Sequence, residues 1–541
     1  KPVKSRLLDS FFIKIPHFFG KNRLTNRPKF AAKPIEYILF FRLEAILLLP
    51  VNCGSHADYQ NFVTDNLRKY YPNPDALAPS TWDIIERFWS LDLSYTDELM
   101  RDKYSKFGPA PRTPSCMQRS YLLSIDFKVT SITHWAAQLK INPLYAILSG
   151  FEVGDTPGTG TFYDFFERLW DSEEDNLFPH IHPVKAKVKK PKNKGAKAES
   201  VEKITVAELL PQLENTSFSI EEQPYHSLLQ IYKKQFLDVS VLKGLISRGL
   251  LSAAGDGTPV VTSHRMRSHR ICDCAQKGIS DCNCDRYFSQ PDCDIGWDSS
   301  RECWYHGYSL YMFVASDSES DLPVFPLLNP ASRHDSLGFL ETFFRMKSFL
   351  PDLHITKLLL DSAHDAMPVY EYCKRENITP FIDLNEKRGI KAKYKNDFTI
   401  GKDGIPVCKE GHRMNHDGCE PSKHRLKFRC PLTSRKYGCS CEHPCSDSKY
   451  GRTVHLAMKD NPRLINIPPR DSEEWKMEFH ARTSAERSNK REKLDFKLED
   501  GRHRSTKMWY CRLYHIMMLQ HLDAWDLPFE STLRKLILEA A

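Results

Sequence analysis

Residues 355–385 read "ITKLLLDSAHDAMPVYEYCKRENITPFIDLN", and the order of elements here decides how the surrounding chain folds. "ITKLLLD" is a short apolar run with a carboxylate at its end, too brief for a helix and suited to a buried strand. "MPVYEYCKREN" has helical spacing with a proline in its first turn, and "TPFIDLN" returns to strand character. Upstream, "GLLSAAGDGTPVVT" (249–262), "HGYSLYMFVAS" (306–316) and "LPVFPLLNP" (322–330) read as strands. "DSLGFLETFFRMKSFL" (335–350) reads as a helix opened by an Asp335-Ser336 cap. Three strands, helix, strand, helix, strand is the order expected of a mixed α/β sheet, and in particular of the ribonuclease H-like fold.

Two aspartates stand out in that frame. Asp361 ends an apolar strand, where open α/β sheets present groups to ligands. Asp256 follows "LLSAAG" and precedes Gly257, which lets a ligand approach closely. Together they could hold one or two Mg²⁺ ions, because hard cations select oxygen ligands. A strand-end aspartate is equally at home as a turn residue or helix cap.

A third carboxylate comes from "RTSAERSNKREK" (482–493). At roughly 100° per residue, Phe479, Arg482, Glu486 and Lys493 fall within about 60° of one another, with Phe496 close to that face. If the phenylalanines pack on the sheet, the three charges are carried inward, where they need partners. The alternative is a surface helix with short-range ion pairs.

The remaining chain of 541 residues is long enough for two to four domains, and its 41% apolar content suits sizeable cores. Helical patterns fill residues 1–180, at 36–48, 81–104, "SYLLSIDFKVTSITHWAAQLKI" and "TFYDFFERLW", and read as a compact helical domain. Residues 181–205 read as a basic flexible linker: within them 183–203 holds eight lysines, two glutamates and almost nothing large and apolar. Residues 206–245 follow as a helical connector, and 246–541 as the α/β domain. About 124 residues separate Asp361 from Glu486, so an inserted subdomain is expected at about 390–475.

Lys and Arg number 77 against 69 Asp and Glu, a net +8 that favours a nucleic-acid partner only if clustered. No stretch reaches the roughly 18 apolar residues of a membrane span. The closest, 36–52, is broken by Arg42 and Glu44 and reads as a buried helix. Residues 1–19 lack a small-residue cleavage site, so a reducing cytoplasm is the expected compartment.

Most of the 16 cysteines lie between Cys272 and Cys445 in two groups. One comprises Cys272, Cys274, Cys282 and Cys284; the other comprises Cys430, Cys439, Cys441 and Cys445, inside the expected insertion. In a reducing compartment such grouping suits a structural Zn²⁺, which substitutes for a missing core in loop-rich chain. The Cys-x-Cys spacing is less diagnostic than Cys-x2-Cys, and free thiols are the alternative.

In order and context, Asp256, Asp361 and Glu486 resemble the acidic triad of the DDE transposases of bacterial insertion sequences. The likeness runs through "GDGT", "WYHGYSLY", "LPVFPLLNPASRHDS", "LLLDSAHDA", "ITPFIDLN", "CSDSKYGRTVHL" and most of 482–525. In the subgroup with a Tyr-x2-Arg-x3-Glu-x6-Lys signature, the matching positions are Phe479, Arg482, Glu486 and Lys493, with phenylalanine replacing the tyrosine. The resemblance implies a ribonuclease H-like domain binding Mg²⁺ or Mn²⁺ through Asp256, Asp361 and Glu486. It further implies cutting of insertion-sequence ends and joining to target DNA, with terminal inverted repeats and target duplex as partners and a homodimer on DNA near the nucleoid.

Arg482 and Lys493 would then meet phosphates flanking the scissile bond, with Lys490, Arg491, Arg504 and Lys507 as further DNA contacts. The helical N-terminal region would read the repeats. Two other readings stay open: a decayed or domesticated copy that binds DNA without cutting it, and another ribonuclease H-like, metal-dependent nuclease.

Overall fold

The apolar strands assemble into one mixed sheet. Its members are β1 (Leu251–Val261), β2 (Asp294–Asp298), β3 (Cys303–Ala315), β4 (Leu322–Pro330), β5 (Ile355–Leu360) and β6 (Thr379–Ile382). The order across the sheet is β4-β3-β1-β5-β6, with β2 pairing the first half of β3. β3 runs antiparallel to β1, whereas β1, β5 and β6 are mutually parallel. The computed structural model describes residues 54–177, 204–385 and 398–538, with short internal breaks, chiefly 106–109, 264–268, 435–437, 458–460 and 526–531. The 36–52 helix and the 183–203 linker therefore lie outside the described residues.

The parallel register sets the site. Ala253 lies opposite Leu358 and Ala254 opposite Leu359, so extending the pairing by two residues brings Asp256 beside Asp361. Strand neighbours lie about 4.8 Å apart, too close for two carboxylates to ignore each other.

Helix α1 (Asp335–Phe349) covers one face of this sheet, where Phe339 packs on Tyr311 and Phe313 and Phe343 on Phe313. Its cap is His334, whose side chain accepts from the Ser336 N–H; Asp335 is the first helical residue, not the cap. That shift frees Asp335 to face the sheet.

Both glycines flanking Asp256 are explained by this face. A Cβ on Gly255 would lie 2.7 Å from the Tyr311 Oη and 3.0 Å from both Leu360 and Phe313. A Cβ on Gly257 would lie 2.5 Å from an Asp335 oxygen. Because side chains alternate along a strand, Asp256 points to the other face.

That other face receives the segment after the insertion. Helix α2 (Met367–Arg375) links β5 to β6, and α3 (Glu473–His480) and α4 (Thr483–Lys490) follow the insertion. Ala481 and Arg482 turn between α3 and α4, and α4 passes into a π turn at Arg491–Asp495. The single wheel expected from Phe479 to Lys493 is therefore interrupted, and the charges on it diverge.

Helix α5 (Thr506–Ala524) is buried from Thr506 through Leu522 and packs against β4 and the helices Pro114–Asp126 and Thr159–Leu169. The N-terminal helices and the sheet consequently share one hydrophobic cluster. Within the insertion, Asn415–Glu420, Arg425–Arg429 and Thr453–Ala457 form an antiparallel sheet over a second, smaller core of Ile400, Met414, Leu426, Phe428, Val454 and Leu456. Arg463 ties this part to the main sheet through its Nε, 2.7 Å from each oxygen of the fully buried Asp365.

Gly255→Ala should lower stability by about 1–3 kcal/mol, the usual cost of overpacking. Chemical denaturation read by fluorescence checks it, and an unchanged midpoint would contradict the packing at Tyr311.

Candidate functional site

Asp256 and Asp361 meet on the carboxyl side of the parallel strands. The Asn489 Nδ2 of α4 donates to the Asp256 Oδ2 at 3.2 Å. Asp361 caps the short turn Ser362–His364, accepting from the Ala363 N–H at 3.1 Å and from the His364 Nδ1.

These different surroundings separate the two carboxyls. Burial, with the charges of Asp361 and Asp335 nearby, pushes Asp256 up to about 7. Burial also raises Asp361, but the His364 hydrogen bond and charge, the Ala363 N–H and Arg482 outweigh it and leave that carboxyl below its ordinary value. One acid thus tends to carry the proton and its neighbour the charge.

Asp335 is a carboxylate that strand-end reasoning missed. Burial pushes it up as well, and it contributes to the crowding at Asp256. Its sequence signal was ambiguous, since an aspartate at a helix start also reads as a cap. Asn489, three residues past Glu486, was missed too. It is buried, and its Oδ1 has no protein partner beside the carboxylates.

Glu486 stands apart from this pair. Its side chain is 51% exposed and accepts from the Arg482 Nη2 at 2.7 Å. Arg482 is mostly covered, lies over the Phe479 ring and is close enough to favour the charged forms of both Asp256 and Asp361. Arg482 therefore acts on both Glu486 and the aspartates, bonding the first and favouring the charge of the others. Among the described residues, the oxygens of Asp256, Asp361 and Glu486 do not close to the mutual spacing of a ligand set.

The remaining basic residues take varied places. Lys493 points inward, donating to the Pro259 carbonyl at 2.7 Å and pairing with Glu499 at 3.3 Å. Arg491 donates to the Ser320 carbonyl and pairs with Asp523. Lys490 and Arg504 are exposed. Lys507 is only 4% exposed and is paired with Glu167 and Asp175, so the structure puts it inside a helix packing interface. Its reach toward a ligand is lost to those two acids.

An open groove of about 580 Å³ reaches Asp335 but not Asp256 or Asp361, and is lined by Gly257, Thr258, Trp297, Trp304, His334 and Asp335, among others. Trp297 and Trp304 face each other across β2 and β3 with ring centres 5.3 Å apart.

The first cysteine group closes into a cluster. The sulfurs of Cys272, Cys274, Cys282 and Cys284 all lie within 4.8 Å of one another, with Cys272–Cys282 at 3.5 Å and Cys274–Cys284 at 3.7 Å. Zinc–sulfur bonds of about 2.3 Å in a tetrahedron give sulfur–sulfur edges of roughly 3.8 Å, so this cluster could hold a metal such as zinc. The Cys274 N–H pulls the Cys272 thiol down to about 7, whereas hydrogen bonding to that sulfur pushes Cys274 up. In the second group, Cys430 is buried and Cys445 packs partly against the insertion core, while the Cys439 side chain lies outside the described residues.

No protein-family model matches this chain, and no curated protein matches it. Among the described residues no helix is long and apolar enough to cross a membrane.

The raised Asp256 carboxyl has a consequence for stability. Folding lifts it above its ordinary 3.8, so its protonated form stabilises the fold, fully below that value, and the stabilisation is lost as pH rises through about 7. In the presence of a chelator, Asp256→Asn should raise the melting temperature at pH 8 by several degrees and leave it unchanged near pH 4. Equal shifts at both pH values would show that Asp256 is not crowded by its neighbours.

Proposed function

We propose that the chain is a DDE transposase with a ribonuclease H-like catalytic domain, cutting insertion-sequence ends and joining them to target DNA. The observation that carries this reading is the convergence of Asp256 and Asp361 at adjacent parallel strands, with α4 setting Asn489 against Asp256. A central strand flanked by one antiparallel and one parallel neighbour, in the order β4-β3-β1-β5-β6, agrees with the fold proposed.

The residues present fit a hard divalent cation. Asp256 and Asp361 offer oxygens on adjacent strands, the crowding at Asp256 is the kind a cation relieves, and the unpartnered Asn489 oxygen adds a buried acceptor. Asp256, Asp361 and, once released from Arg482, Glu486 would hold Mg²⁺ or Mn²⁺, which when bound supplies charge neutralisation on the attacking and leaving oxygens of phosphoryl transfer.

The chain's own part is positioning. Arg482, bonded to Glu486 through one arm of its guanidinium, is placed to exchange that carboxylate for a phosphate oxygen. Lys493 holds the end of β1 through the Pro259 carbonyl, which keeps Asp256 in register while the exposed Lys490 and Arg504 remain open to a DNA backbone. Terminal repeats and target DNA are the partners this reading requires, and a dimer on DNA would pair the two ends.

The Cys272, Cys274, Cys282 and Cys284 cluster is proposed to bind zinc structurally, in the excursion between β1 and β2. Purified protein should then carry about one zinc per chain at this cluster by elemental analysis, lost in Cys272→Ser/Cys282→Ser. Unchanged metal content in that variant would remove the assignment.

The functional reading is tested with Mg²⁺ and labelled DNA bearing the element's terminal repeats. Asp361→Asn and Glu486→Gln should each reduce cleavage by about 10³-fold or more while end binding by gel shift persists. Undiminished cleavage in either variant would sink the transposase assignment.

A further inference from the structure

We propose that His364 is a positioning residue, clamped between the Tyr311 hydroxyl and Asp361 so that one Asp361 oxygen is fixed and the other is aimed at the divalent cation. The inference rests on the reading of Asp361 as a metal ligand. It concerns two residues to which the sequence assigned no part.

The geometry is a closed hydrogen-bond chain. The His364 Nδ1 bonds the Asp361 Oδ1, and its Nε2 lies 2.9 Å from the Tyr311 Oη. His364 and Tyr311 are both buried, and the imidazole is walled by the Tyr311 and Phe339 rings at 5.7 and 5.3 Å. A swing of the ring would break both hydrogen bonds and disturb its contact with Phe339 of α1.

Geometry places the hydrogen of the inner bond. The ionised Asp361 oxygen can only accept, so the Nδ1 that faces it is the donor. The Nε2 and the Tyr311 hydroxyl share the hydrogen bond on the far side of the ring. Because the Ala363 N–H bonds the same Oδ1, both donors act on one oxygen and leave Oδ2 unclaimed by either. A carboxylate so oriented binds a cation more tightly than one free to rotate.

Tyr311 is anchored in turn by the sheet. It lies on β3 opposite Gly257, and its hydroxyl occupies the space that a side chain on Gly255 would fill. Gly255, beside Asp256, thus makes room for the hydroxyl that anchors His364.

The test titrates Mn²⁺ into DNA-free, full-length protein, reading free Mn²⁺ by electron paramagnetic resonance, alongside Mg²⁺-dependent cleavage of repeat-end DNA. His364→Leu should weaken Mn²⁺ binding about 10–100-fold, the usual cost of losing an outer partner of a metal ligand. His364→Asn, whose amide nitrogen can take the Nδ1 position, should recover most of that loss. Tyr311→Phe should weaken binding several-fold in the same direction, and combining it with His364→Leu should add little.

His364→Leu and Tyr311→Phe that both bind Mn²⁺ as the parent does would overturn the proposal, as would an asparagine variant no better than leucine. A parent that binds Mn²⁺ in this pattern yet cuts no DNA would retain the positioning role and reject the transposase reading. A parent that binds no Mn²⁺ at all would reject both.

Discussion

The parallel pairing of β1 with β5 is the constraint on which this site depends. It places Asp256, midway along β1, beside Asp361 at the end of β5, where solvent is partly excluded and like charges repel. The surroundings answer that repulsion unequally. Asp361 receives the Ala363 N–H and His364, while Asp256 receives one amide hydrogen bond from Asn489 and the nearby negative charges of Asp361 and Asp335. The fold holds a polarised pair, one acid inclined to ionise and the other to keep its proton.

Helix α5 shows how a polar-looking segment becomes core. Lys507 is claimed by Glu167 and Asp175, and the Arg512 Nη2 donates to the Phe496 and Lys497 carbonyls at 3.0 and 2.8 Å. The Gln520 Nε2 donates to Glu492, which burial pushes up to about 8. Burial likewise lowers His515 and His521 to about 4, so both remain neutral inside the helix packing. Unpaired charge in such a place would cost several kcal/mol, which is why each cation here has a named acceptor. The helix therefore joins the N-terminal helices to the sheet and presents little of its charge outward.

The excursion between β1 and β2 and the insertion after β6 solve the shortage of apolar residues differently. The insertion builds a small core of its own, whereas the first excursion gathers four cysteines within 4.8 Å.

The sequence by itself determined five of the six strands of the sheet, their order along the chain and the place of Asp361 at the end of β5, because apolar runs and punctuating carboxylates are local patterns; it missed β2, and β1 runs on past Asp256 to Val261 rather than ending there. It also grouped Cys272, Cys274, Cys282 and Cys284, since residues that share one short loop are close in sequence. Only the tertiary structure decided which charges turned inward. Glu486 stayed half exposed on Arg482, Lys493 was drawn to the Pro259 carbonyl, and Lys507 vanished into ion pairs, because a turn at Ala481–Arg482 and a π turn at Arg491–Asp495 broke the expected helical wheel. Asp335, Tyr311, His364 and Asn489 were invisible for a related reason: each acquires its place from a partner distant in sequence, across a sheet or between a strand and a helix, and no local spacing encodes such a contact.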